Sequence, residues 1–257
     1  MNLVALPAFA DNYIWMLHDG AQAAVVDPGD AAPVKAALEQ LHLRLAAILV
    51  THHHPDHVGG VDALRPWLQG PVFGPAREAI PVPFEPLRDG DHVEVLGLRF
   101  AVIDVPGHTA GHIAYAQQDV PEAPLLFCGD TLFSAGCGRL FEGTPAQMHA
   151  SLSRLAALPA DTRVCCTHEY TLSTLRFAAA VEPGNDAVAQ HAAHCQSLRT
   201  AGQPTLPSTL ALELQINPFL RSHEPALAAA AQAHDPAASA DALGVFTTLR
   251  AWKNVFA

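Results

Sequence analysis

Short apolar runs, broken by Gly, Pro, Asp or Asn, dominate the first two-thirds of the chain. Tyr13 to Leu17, Ala23 to Val26, Ala46 to Thr51, Ile113 to Ala116, Leu125 to Cys128 and Arg163 to Thr167 predict strands, and His92 to Val105 predicts one broken by Gly97. Helical patterns lie between them. Asp30 precedes Ala31-Ala32-Pro33-Val34-Lys35, a helix start with proline in its first turn, and that helix is predicted to run to about Leu41. A second helix follows Gly59-Gly60, and a third spans Pro145 to Leu158. Strands separated by helices predict a layered α/β domain. After Tyr170 the pattern becomes helical: Thr171 to Val181, Asp186 to Ala201, Glu224 to Ala233 and Asp241 to Trp252, with Thr205 to Leu214 a Pro-punctuated connector. The expected division is therefore residues 1–170 and residues 171–257. No internal repeat is present.

At 257 residues, half of them hydrophobic and 15% charged, the chain is long enough for a full core as one large or two modest domains. The net charge of -11 argues against general nucleic-acid or acidic-membrane binding, while leaving room for a local basic pocket. Met1 to Pro7 has no basic region, Pro7 and Asp11 break its apolar run, and no stretch is long enough to span a membrane. The five cysteines are an odd number without scaffold-like spacing, and Cys165-Cys166 fall in a predicted strand. Reduced thiols in a cytoplasmic protein are the expectation.

Chemistry concentrates at the strand ends. After the apolar run Ala46 to Val50 comes Thr51-His52-His53-His54-Pro55-Asp56-His57. In an extended stretch His52 and His54 point the same way and converge on one ion, while His53 points away. Asp56 and His57 follow Pro55 at a turn and face a second ion beside the first. Imidazole with carboxylate suits zinc, iron or manganese. Three more segments are metal-site parts: Pro106-Gly107-His108-Thr109-Ala110-Gly111-His112, Phe127-Cys128-Gly129-Asp130-Thr131-Leu132-Phe133, and Cys166-Thr167-His168-Glu169-Tyr170. Each is weak alone; together they add His108, Asp130 and His168.

With these residues the sequence resembles the metallo-β-lactamase superfamily and, within it, the glyoxalase II or hydroxyacylglutathione hydrolase family. The His-x-His-x-Asp-His frame identifies only the superfamily. The more specific stretches are Gly136 to Thr144 (GCGRLFEGT), His168 to Leu172 (HEYTL), Val181 to Asn185 (VEPGN), Asn217 to Arg221 (NPFLR) and Leu249 to Phe256 (LRAWKNVF). The resemblance implies an αββα sandwich followed by a C-terminal helical domain over the metal site. It implies two divalent metals, zinc foremost with iron or manganese as alternatives. His52, His54 and His108 would hold one, Asp56, His57 and His168 the other, with Asp130 bridging. Asp56 and Asp130 are the expected catalytic carboxylates, serving a hydroxide held between the metals. The implied reaction is hydrolysis of S-(2-hydroxyacyl)glutathione thioesters, chiefly S-D-lactoylglutathione, to glutathione and D-lactate. Arg139, Arg250 and Lys253 would clamp the glycine carboxylate of glutathione, with Tyr170 and Phe141 beside the peptide. The protein is expected to act as a monomer on this small molecule, without nucleic acid or membrane.

Two departures bear on the peptide site: Phe141 stands where some relatives have Tyr, and Thr174 where many have Asn. Asp27 and His112 read equally as partners of ligand histidines or as turn and core residues. The competing readings are a mononuclear persulfide dioxygenase, disfavoured by the helical tail; a nuclease, disfavoured by the acidic balance; an exported β-lactamase, disfavoured by the N-terminus; and a non-catalytic metal-binding module.

Overall fold

The protein is described by a computed structural model covering residues 1–117 and 123–256. Its first sheet consists of β1 (Asn2–Ala8), β2 (Asn12–His18), β3 (Gln22–Val26), β4 (Arg44–Leu49), β5 (Val72–Pro75) and β6 (Glu85–Leu87), neighbours in that order. The second contains β7 (His92–Val95), β8 (Leu98–Asp104), β9 (Ile113–Gln117) and β10 (Leu125–Gly129). A separate ribbon is formed by β11 (Leu132–Phe133) and β12 (Gly136–Cys137). The strands β13 (Arg163–Cys166) and β14 (Ser208–Thr209) complete the second sheet, in the order β14-β13-β10-β9-β8-β7. The helices are α1 (Ala31–Leu41), α2 (Pro55–Val58), α3 (Val61–Leu64), α4 (Pro145–Ala156), α5 (Thr171–Val181), α6 (Asp186–Thr200), α7 (Leu210–Ile216), α8 (Pro225–His234) and α9 (Ala242–Val255).

The twofold period of a strand explains the layers. In β2, Tyr13, Trp15 and Leu17 face the second sheet, while Ile14 and Met16 face α1 and α3 with Val34, Leu38, Val61 and Leu64. Burial on both faces is why this strand reads as a continuous apolar run. Beyond the second sheet, Met148, Leu152 and Leu155 of α4 close the fourth layer. The same cluster runs on into Phe219, Leu227, Val245, Phe246 and Leu249, so the C-terminal helices share the core of the sandwich.

Several expectations need correction. Thr205 to Leu214 is not a plain connector. It carries β14, paired with β13, and the start of α7, which Thr209 caps through Leu212 N. Its prolines and brevity hide both elements. The break expected at Gly97 within His92 to Val105 is a hairpin: two strands are joined by Leu96-Gly97, with φ of 54° and 74°, a two-residue turn whose twist suits a hairpin. The helix after Gly59-Gly60 is one turn, because Arg65-Pro66 converts it to a 3-10 turn. The apolar pattern does not mark β1, β5 or β6: β1 is a half-exposed edge strand, and β5 and β6 are short.

The tail motifs now have a structural reason. Arg221 forks onto both carboxylate oxygens of Glu182. Asn185 Nδ2 donates to Glu182 Oε2 at 2.8 Å and to the Gln215 carbonyl at 2.9 Å. Asn217 Nδ2 donates to the carbonyls of Phe133 (3.0 Å) and Gly136 (2.9 Å), tying the end of α7 to the β11–β12 ribbon. That ribbon lines the site described next.

Candidate metal centre

β4 ends at Leu49, and the extended chain beyond it presents His52 and His54 on one side. His52 Nε2 lies 3.1 Å from His54 Nδ1, and His108 Nε2 lies 3.0 Å from the same atom. Their other contacts fix the tautomers. Thr51 Oγ1 donates to Asp27 Oδ2 (2.8 Å), so it accepts from His52 Nδ1–H (3.1 Å). His108 Nδ1–H donates to the Arg139 carbonyl at 2.8 Å. Both Nε2 atoms therefore present lone pairs to the same point. Burial pushes His52 well below 6.5, helped by the neighbouring imidazoles, and it also lowers His54 and His108. This half is neutral and ready to donate.

The second half is built by α2 and by the end of β13. Asp56, His57 and His168 place donor atoms within 4.8 Å of one another. Asp130 stands between the halves. Its Oδ2 lies 3.4 Å from His108 Nε2 and 3.3 Å from His168 Nε2, and its Oδ1 lies 3.5 Å from His57 Nε2. Gly129 makes this placement possible: it turns at φ 47°, and a Cβ there would meet Thr51 Oγ1 at 2.3 Å. Burial works against charge here, yet the Asp130 and Asp27 carboxylates carry His57 up to about 10, and Asp130, Asp56 and Asp11 carry His168 up to about 11. Asp130 and Asp56, despite burial that raises both, are held well below the usual carboxylate range by these imidazoles.

A cation fits this donor set. His57 Nε2 and Asp130 Oδ1 are buried without a hydrogen-bond partner, a costly arrangement that a metal would relieve. Three imidazole nitrogens converge on one side, and two carboxylates with two imidazoles converge on the other. His53 turns away as expected: its backbone N–H and Nδ1 both meet Glu78 Oε2, at 2.6 and 2.9 Å.

Further residues support these groups. Asp27 reaches His57 Nδ1 at 3.0 Å and also accepts the Thr51 N–H. His112 does not touch a ligand ring nitrogen; its Nε2 accepts the Asp130 backbone N–H at 3.2 Å, and its ring stacks on His52. Sequence reasoning missed Asp11 and Glu78. Asp11 Oδ1 accepts from His168 Nδ1 at 2.8 Å, and Glu78 accepts from both the His53 segment and the Thr109–Gly111 loop. Neither lies near a histidine motif in sequence, so only the fold reveals them.

A cleft of about 460 Å³ opens beside His108 and Asp130, and Arg139, Phe141, Tyr170, Arg250 and Lys253 all line it. Tyr170 stacks flat on His168, with centroids 4.6 Å apart, and Phe141 sets its ring edgewise against His54 and His108. Arg250 is buried, donating to the Cys137 carbonyl (2.7 Å) and Asn254 Oδ1 (3.1 Å). Lys253 Nζ reaches Ser173 Oγ at 3.3 Å. Thr174 spends its hydroxyl on the Ser134 carbonyl and its own helix. Among the described residues, no carboxylate pairs with Arg139, Arg250 or Lys253. The cleft thus gathers three basic side chains without carboxylate partners in an acidic protein. Burial lowers the Lys253 pKa from 10.5, and Arg250 and Arg176 lower it further. Affinity for an anionic ligand is therefore expected to fall as pH rises through a value below 10.5, and Lys253→Arg should shift that fall to higher pH. A KM–pH profile of the two proteins checks this; superimposable profiles would remove Lys253 from anion binding.

The comparisons agree with this geometry. Residues 9–168 match the Metallo-beta-lactamase superfamily, and residues 169–256 match Hydroxyacylglutathione hydrolase C-terminus. A protein of Albidiferax ferrireducens named hydroxyacylglutathione hydrolase is 62% identical over 256 residues, covering 100% of both chains. Among solved structures, ETHE1 from Myxococcus xanthus superimposes with a TM-score of 0.64 at 29% identity, over 85% of this chain and 84% of that one. TTHA1623, solved in a di-iron-bound form, gives a TM-score of 0.59 at 30% identity, over 86% of this chain and 100% of that one. No helix among the described residues is long and apolar enough to cross a membrane. Sharing the two-sheet sandwich, the His/Asp centre, the helical C-terminus and full-length similarity, the chain belongs to the hydroxyacylglutathione hydrolase family of the metallo-beta-lactamase superfamily.

Proposed function

We propose that the protein hydrolyses S-(2-hydroxyacyl)glutathione thioesters, chiefly S-D-lactoylglutathione, to glutathione and D-lactate. The observation that carries this reading is a cleft lined by three basic side chains without carboxylate partners, which meets the seven-residue His/Asp cluster at His108 and Asp130. In this reading His52, His54 and His108 would hold one divalent ion, Asp56, His57 and His168 would hold the other, and Asp130 would serve both. Zinc is the proposed metal, with iron and manganese as alternatives. Bound divalent cations supply Lewis-acid polarisation of a carbonyl and water activated at a pH of about 7.

The chain's own residues do the rest. Arg139, Arg250 and Lys253 hold the glycine carboxylate, and Tyr170 and Phe141 flank the peptide, so the thioester is directed towards Asp130. The leaving group is a thiolate, which departs without a proton and needs no dedicated acid. Cys137, the thiol lining the cleft, is buried, and burial raises its pKa despite Arg250, so it offers no thiolate nucleophile. Residues 1–170 thus act as the catalytic unit and residues 171–257 as the substrate-binding unit. The five unpaired cysteines support a reducing, cytoplasmic setting, and size-exclusion chromatography checks the proposed monomer.

The test is turnover of S-D-lactoylglutathione by purified protein, with metal analysis of the same sample. Chelation should abolish hydrolysis, and zinc should restore it. Turnover that survives complete metal removal would refute the metal-dependent reading.

A further inference from the structure

Asp27 serves both halves of the centre, meeting His57 Nδ1 directly and His52 through Thr51, but His108, His168 and Asp56 are supported from different parts of the chain. His52 leans on Thr51 and, through it, on Asp27; His108 leans on the Arg139 carbonyl. His168 and Asp56 lean instead on the turn between β1 and β2. Asp11 Oδ1 accepts from His168 Nδ1 at 2.8 Å, and Asn12 Nδ2 donates to Asp56 Oδ2 at 3.0 Å. Only the amide NH2 of Asn12 can make that contact with a carboxylate, which fixes its orientation.

The backbone holds these contacts in place. Glu169 N–H donates to the Asp11 carbonyl at 2.8 Å and Tyr13 N–H to the Thr167 carbonyl at 2.7 Å, so Asn12 and His168 face each other as an antiparallel bridge. Tyr13 OH adds a 2.9 Å bond to Glu169 Oε2. Asn12 is buried, whereas the Asp56 side chain is 38% exposed. The other contacts of this carboxylate, which stands on a one-turn helix partly open to water, are to His57 and His168 of its own half.

We infer that Asp11 and Asn12 are positioning residues dedicated to the Asp56–His57–His168 half, so that this turn sets the affinity of one metal position independently of the other. The inference rests on the two-metal reading above. A donor or acceptor that locks a ligand's orientation is typically worth roughly 10–100-fold in metal affinity. That effect should fall on one half alone, because no contact links the turn to His52, His54 or His108 among the described residues.

The experiment is titration of the metal-stripped full-length protein with Mn2+ and with Zn2+. Affinities are read by chelator competition, and Mn2+ pairing by electron paramagnetic resonance. The wild type should take up two equivalents and show the spin-coupled signal of a manganese pair. Asn12→Ala and Asp11→Ala should bind the first equivalent as the wild type does and the second roughly 10–100-fold more weakly, losing the coupled signal at matched stoichiometry. Asp11→Asn, which keeps an accepting oxygen for His168 Nδ1–H, should recover most of the second-site affinity. Circular dichroism separates a folding defect from these effects, and Asp11→Asn preserves the test if an alanine variant does not fold. Two wild-type equivalents with unchanged variants, or equal weakening of both equivalents, would overturn the role of the turn alone. A wild type that saturates at one equivalent would overturn the two-metal reading and this inference with it.

Discussion

Asp130→Ala is expected to lower metal content from about two equivalents per chain to one or none, and to reduce kcat by roughly a thousandfold or more. The carboxylate is buried between the halves, within 3.5 Å of imidazole nitrogens from His57, His108 and His168. On the proposed ligand set, its removal would take a donor from each position at once and leave the partner imidazoles facing an empty space. Losing metal-based charge stabilisation is worth several kcal/mol, and each 1.36 kcal/mol is a factor of ten. His53→Ala is the matched control. Its side chain meets Glu78 on the far side of the loop, and its backbone N–H keeps the 2.6 Å bond to Glu78 in the variant. Elemental analysis and turnover of the two variants decide the matter; equal losses would sink the assignment of Asp130 as the joining ligand.

Arg250→Ala is expected to reduce kcat/KM by about ten- to a hundredfold, chiefly through KM, because a hydrogen bond to a charged group is worth roughly 1.5–3 kcal/mol. The structure adds a condition to this expectation. Arg250 also donates to the Cys137 carbonyl and lies 5.2 Å over the Phe219 ring, so its loss disturbs the ribbon that lines the cleft. Comparing substrates isolates the charge contribution. Removing the glycine carboxylate should weaken the wild type by a similar factor and the variant little further. If both proteins suffer equally, Arg250 is a support for Cys137 and not the carboxylate's partner.

The parts legible in the sequence are those in which chemistry sits next to a strong local pattern. His52, His54, Asp56 and His57 follow one apolar strand within a few residues, and α5 is predicted to its ends because Pro183-Gly184 terminates it. Short edge elements were not legible. β1 mixes exposed and buried positions, and α7 is too short to show a period. The supporting carboxylates were hidden for a different reason: Asp11 and His168 are 157 residues apart, and Glu78 bonds residues 25 to 33 positions away. Nothing local marks a residue whose partner is supplied by the sheet. Asn217 and Glu182 are recognisable as motif residues, yet Asn217 fastens α7 to the ribbon and Glu182 fastens the end of α5 to Arg221.

The dual employment of α9 constrains how such a protein can change. Val245, Phe246 and Leu249 fill the core shared with the sandwich, while Arg250 and Lys253, on the same helix, face the cleft. Alterations that retune which thioester is preferred therefore fall one or two side chains from positions that keep the molecule folded. Grafting a relative's C-terminal helices should fail unless the α4 and ribbon surfaces travel with them. Divergence towards new substrates is expected to proceed through the exposed rim, at Phe141 and Tyr170, sooner than through the basic clamp.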